Sequence, residues 1–162
     1  MSRRQAKWQD DLKELIDNFE HADLASGFAA IDEVISQGFV ENFFNQVDHN
    51  GRKWKPRKDK KLLSDTSGEE PHPLLIKTGK MFQAATNTSD PAHIADIQDG
   101  DRSIEIGISD ELVPYAKYHH TGTKNKDGTL RMVARRVIYA NDTTLNRAFQ
   151  EFADAAEGQI FG

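Results

Sequence analysis

The 162-residue chain contains no cysteine, which excludes disulfides, thiolate metal sites and a cysteine nucleophile. Any metal would therefore need histidine and carboxylate ligands. No run of about 18 apolar residues occurs, so a transmembrane helix is excluded. The opening MSRRQAKWQDDL is charged and lacks the apolar stretch of a signal peptide, so a soluble protein made in a cytoplasm is expected. Spacings of the H-x-x-x-H or H-E-x-x-H kind are missing as well. Gly79-Lys80 has no preceding glycine at phosphate-loop spacing, which leaves nucleotide hydrolysis unsupported.

What is present fits one domain with one core and peripheral segments, since 162 residues at 37% hydrophobic are too few for two large domains. The net charge of −5 is unevenly spread. Residues 52–61, RKWKPRKDKK, carry seven Lys/Arg against one Asp, a local +6 that leaves −11 on the rest. A basic arm on an acidic body suits nucleic acid, and it suits the acidic surface of a neighbouring subunit equally well.

Periodicity predicts the elements. Trp8, Leu12, Leu15, Ile16 and Phe19 mark one face of an amphipathic helix over about 3–20. A second, longer helix over about 26–47 carries Phe28, Ile31, Val34, Ile35, Phe39 and Phe43, with Asp48, Asn50 and Gly51 as the turn that ends it. Residues 52–73 read as a long basic loop anchored by Trp54, and residues 74–85 as a short helix with Thr78 as its cap. The stretches 92–97 and 103–108 flank QDGDR and predict a hairpin, with Ile104, Ile106 and Ile108 on its buried face. A third strand is expected over 130–139 and a closing helix over about 142–157, with Leu145, Phe149, Phe152 and Ala156 on one face. The expected fold is α+β: a small antiparallel β-sheet packed with two long N-terminal helices and a C-terminal helix. Residues 1–25 are expected to be a helical extension and 26–162 a single domain.

Taken in order, DHNGRKWKPR, HPLLIKTGKMFQAA, IEIGIS, PYAKYHHTGT, the basic strand RMVARRVIYA and the terminal helix resemble the virion morphogenesis, or tail completion, proteins of tailed bacteriophages. Asp48, Gly51, Trp54 and Pro56 match that family's D-x-x-G-x-x-W-x-P element. Leu75, Thr78 and Gly79 match its L-x-x-T-G element, with Met81 where an aliphatic residue is usual. Tyr115, Ala116, His119 and Gly122 match Y-A-x-x-H-x-x-G. The last element departs from the pattern: Val133, Ala134 and Arg135 stand for Pro-Ala-Arg, and Arg136 replaces the next proline. The resemblance covers roughly residues 26–155. It implies a structural protein of the neck or tail end that completes tails so that heads can join them, a ring-forming subunit with no reaction and no cofactor. It also implies, as partners, other copies of the chain, the tail tube or sheath end, and head connector or neck proteins.

His119 and His120 are consecutive, so they point apart on any regular element and make a poor chelating pair. They are expected to pack rather than react, with Tyr115, Ala116 and His119 on the inner face of a short helix closed by Gly122 in a left-handed cap, and His120 more exposed. The acidic group Asp96, Asp99, Asp101 and Glu105 reads as a solvated hairpin tip.

Two functions follow. In the first, an assembly subunit lays Arg52, Lys53, Lys55, Arg57, Lys58, Lys60 and Lys61 on an acidic neighbour, and Arg131, Arg135 and Arg136 add subunit or DNA contacts. In the second, a nucleic-acid module stacks a base on Trp54 while Lys53, Lys55, Arg57 and Lys58 meet phosphates.

Overall fold

The computed structural model describes residues 13–14, 24–48, 50–56, 74–98 and 103–160, without the side chains of 158–160. In chain order the elements are α1 (Ala25–Asn45), α2 (Lys80–Thr86), β1 (His93–Gln98), β2 (Ser103–Ile108), α3 (Ala116–Thr121), β3 (Thr123–Lys124), β4 (Leu130–Met132) and α4 (Asp142–Ile160). The architecture is α+β, with small antiparallel β-pairs and helices.

α1 forms where apolar side chains recur every three or four residues, and Phe28, Val34, Ile35, Phe39 and Phe43 are all buried. It stops at Asn45 because Gln46 turns left-handed (φ 51°) and donates its N–H to Asn42 O at 2.9 Å. α4 packs antiparallel against it: Gly27 lies against Phe152, and Gly38 against Thr144. A Cβ on Gly27 would fall 2.6 Å from Phe152 Cδ2, and one on Gly38 would fall 2.7 Å from Thr144 Cγ2. Close approach at these two glycines offsets their helix-propensity cost of about 1 kcal/mol each.

That approach also corrects the stripe expected on α4. Ala148 and Ala156 are buried and Phe152 is half-buried against α1, whereas Leu145 and Phe149 stand exposed on the flank. The seam is filled by Thr144 over Gly38, Phe152 over Gly27, and the small Ala148 and Ala156, so Leu145 and Phe149 lie to the side.

The main core gathers where the end of α1 meets α2. Phe43 is fully buried, contributing about 2–3 kcal/mol by leaving water. Its ring meets Phe82 edge-on at 5.2 Å and Trp54 at 6.5 Å, with Met81 and Val113 buried alongside.

β1 and β2 form the expected hairpin, in register from His93↔Ile108 to Gln98↔Ser103. Ile106 and Ile108 pack on the main core, and Ile104 packs on Leu24, Phe28 and Ala156. His93 ties the hairpin down. Its Nδ1 faces Ala84 O at 3.0 Å and its Nε2 faces the buried Asp32 carboxylate at 2.9 Å, which links β1 to α2 and α1.

Other expectations are revised. Of the two long N-terminal helices, the second is α1, and the first, over 3–20, lies outside the described residues except for Lys13 and Glu14, which are helical. The next described helix, α2, is short, and it begins at Lys80 behind a left-handed Gly79 (φ 71°), with no side-chain cap from Thr78. The strand expected over 130–139 pairs only at Leu130–Met132, with β3. Beyond it the backbone finds other partners: Asn42 Nδ2 donates to Val137 O and Tyr139 O, and Arg135 N donates to His119 O.

Candidate functional site

The residues Asp48, Gly51, Trp54 and Pro56 build a loop that folds back on α1. The Asp48 carboxylate accepts the N–H groups of Asn50 and Arg52 at 2.8 and 3.0 Å, and Gly51 supplies the positive φ (72°) that the turn needs. Trp54 N–H then donates to Gln46 O at 2.7 Å, which drives the indole into the core at 7% exposure. Pro56 is exposed.

Tyr139 fastens the same loop from the other side. Its hydroxyl donates to Asp48 O at 2.9 Å, with Val47 O at 3.2 Å. Burial, and after it the Asp48 carboxylate, pushes the phenol above its ordinary pKa and keeps it a donor.

Arg135 is buried, and its guanidinium closes the arrangement. Nη2 and Nε donate to Lys55 O at 2.9 and 3.3 Å, while its own N–H donates to His119 O at 2.7 Å. One residue therefore joins the start of the basic segment, the end of α3 and the final extended stretch. Gly122 makes this approach possible: a Cβ there would sit 2.8 Å from Met132 O and 2.9 Å from Ala134 N. Its φ is positive, as expected, but ψ is 173°, so it is an extended glycine rather than a left-handed cap.

Leu74, Leu75, Lys77, Thr78, Tyr115, His119 and Arg135 line one cleft of about 330 Å³. Leu75 enters it with φ 70°, a conformation that costs a leucine roughly 1 kcal/mol or more. Tyr115 meets His119 edge-on at 6.1 Å but is 37% exposed, so it forms a wall of the cleft rather than part of the inner face expected of it. Ala116 is half-buried, as are both histidines. Burial, then the Arg136 charge, lowers the His120 pKa below its ordinary 6.5.

Three motif-bearing segments thus converge here, and the first is held to them through Lys55 O. Arg52, Lys53, Lys55, Arg131 and Arg136 are exposed around this region, and Lys53 Nζ reaches Asn45 O at 2.7 Å. Arg57, Lys58, Lys60 and Lys61 lie outside the described residues, as do Asp99 and Asp101. Asp96 and Glu105 face each other across the hairpin and are exposed. Among the described residues, no three His or carboxylate groups are placed to hold a metal, and no helix is long and apolar enough to cross a membrane.

Asn42, Tyr139 and the His93–Asp32 pair were missed from sequence. Asn42 interrupts the apolar face of α1 between Phe39 and Phe43, and that polar intrusion was the available signal.

Among curated proteins and among solved structures, none matches the chain. A family model, that of the phage virion morphogenesis family, matches residues 4–162. The match includes the N-terminal stretch that the motif resemblance left out and spans every segment of the site just described, so the chain belongs to the phage virion morphogenesis family.

Proposed function

We propose that the protein is a non-enzymatic subunit of a ring that completes the tail or neck of a phage particle, so that filled heads and tails join. Its position would be in the virion, at the neck or tail end, after assembly in the host cytoplasm. Its partners are other copies of itself, the end of the tail tube or sheath, and connector or neck proteins of the head.

The observation that carries this reading is how the motif residues are used. The Asp48 carboxylate and the Arg135 guanidinium spend their hydrogen bonds on the chain's own backbone, the Trp54 ring is buried, Gly122 allows the close approach, and Tyr139, from outside the motifs, fastens the same loop, so that together they fix the root of the basic segment at Lys55. A charged segment held at its root by a rigid body suits docking on an acidic neighbour. The nucleic-acid alternative is weaker, because the Trp54 ring is buried against Phe43 and offers no face for base stacking. Transient contact with DNA through the surrounding lysines and arginines is compatible with either reading.

Electron microscopy of lysates from a phage lacking this reading frame tests the proposal. Separate full heads and tails are expected, and intact virions in normal number would overturn it. A variant with Arg57→Glu and Lys58→Glu should fold as a monomer yet yield no joined particles.

A further inference from the structure

α1 turns one stripe toward α4 through Gly27 and Gly38, and Asp32 lies about 120–140° round the helix from both. There, where α1 passes the C-terminal end of α2, Asp32, Glu33, Ser36 and Thr86 help to line a polar cleft of about 470 Å³. That volume admits a small ligand or one long side chain. The Asp32 side chain in its wall is only 10% exposed. His93 Nε2 and Ser36 Oγ both approach Asp32 Oδ1, at 2.9 and 3.4 Å, and no group among the described residues donates to Oδ2. A buried carboxylate oxygen without a donor is uncommon in a folded chain, and this one belongs to a residue that faces open volume.

The hydroxyls beside Asp32 have already spent their protons. Ser36 Oγ donates to Asp32 Oδ1, and Thr86 Oγ1 donates to Phe82 O at 2.8 Å, so each can only accept from a ligand. Glu33, exposed at the mouth and in no ion pair among the described residues, adds a second carboxylate. The groups that can donate, Gln37, Asn87 and Thr88, stand at the exposed rim. The inner cleft therefore offers acceptors and negative charge, which calls for a ligand with positive charge and several N–H donors. Among the described residues, no three His or carboxylate groups gather as a metal ion would need. We propose that this cleft binds a guanidinium or primary ammonium group, carried either by an arginine or lysine side chain of another protein or by a free organic cation.

Amide NMR of the full-length chain, titrated with N-acetyl-arginine methylamide, tests the site. Saturable shifts are expected at the amides of Asp32, Ser36, Thr86 and Asn87, half complete at about 1–10 mM. The citrulline analogue has nearly the same shape without the charge, and it should bind at least about tenfold more weakly. Asp32 also holds His93, so the variants to use are Glu33→Gln and Thr86→Val. Each should weaken binding about two- to fivefold while the rest of the amide spectrum stays in place. Ethylguanidinium separates the two sources of the cation. If it binds at least about threefold more weakly than the arginine derivative, the site takes a protein side chain; matched affinity assigns it to a free organic cation. Three results would overturn the proposal: no saturable shift at these amides, equal binding of the citrulline analogue, or affinity unchanged in both variants. Magnesium or calcium ions saturating the same amides at lower concentration than the arginine derivative would also overturn it.

Discussion

The two ends of α1 meet different kinds of neighbour. Along most of its length α1 faces α4, another helix whose backbone groups are satisfied internally, and contact is decided by size: glycine at 27 and 38, alanine at 148 and 156. Past Phe39 it faces irregular chain, residues 46–56 and 133–141, whose carbonyls are taken up by the side chains of Asn42, Tyr139 and Arg135. The helical seam is specified by volume and pattern, which many sequences satisfy. The loop end is specified by individual donors aimed at individual carbonyls, and there the family's motif residues concentrate.

Adding one methyl group at each end sharpens this contrast most. At Gly122 the new Cβ would meet two backbone atoms that the Arg135 and β4 contacts hold in place, at a residue with φ 75°. Gly122→Ala should therefore lose about 3 kcal/mol or more. At Gly27 the obstacle is the half-buried ring of Phe152, which can turn aside, and alanine favours the helix, so Gly27→Ala should lose about 1 kcal/mol. Urea unfolding midpoints read both. Equal losses would break the distinction between a fixed backbone neighbour and a yielding side chain.

Removing single donors comes next in size. Asn42→Leu keeps a buried, similarly sized side chain but takes the amide donor from Tyr139 O and from Val137 O, which keeps only the Tyr139 N–H at 3.1 Å, at a cost of about 2 kcal/mol. Arg135→Lys should lose roughly 1–2 kcal/mol despite retaining the charge, because a lysine cannot present two N–H groups to Lys55 O from a planar fork. If Arg135→Lys unfolded at the unaltered midpoint, charge rather than geometry would be what holds the basic segment's root.

The same contrast explains which parts of the fold were legible in the sequence. α1 and the hairpin follow from periods of 3.6 and 2, and the predicted limits fall within about two residues of those observed. The Asp48–Gly51–Trp54 turn was readable because each residue type has a local reason to be there. The 130–139 stretch misled because Val133, Val137, Ile138 and Tyr139 have strand propensity, while the carbonyls of Val137 and Tyr139 find a partner nearly a hundred residues away on Asn42. The outer half of the α4 stripe misled because amphipathicity marks an apolar face without saying which neighbour covers it. Likewise, motif spacing pointed to Tyr115, His119 and Arg135 but not to the cleft they share with Leu75 and Thr78, which exists only through long-range packing.

The smallest expected effect concerns His120, at the edge of the loop end. It shares a cleft with Asp110 and Lys117, and burial followed by the Arg136 charge holds its pKa below 6.5. The folded ring therefore resists a proton that the unfolded ring accepts. Stability from this group is present above the unfolded value and declines as pH falls through 6.5 toward the lower folded value. Comparing unfolding at about pH 7.5 and about pH 5.5 should show His120→Gln losing less on acidification than the unaltered chain. Arg136→Gln should shrink the same difference, though by less, because desolvation is the larger cause and remains. A loss on acidification that His120→Gln leaves unchanged would assign the sensitivity to another titrating group in the fold.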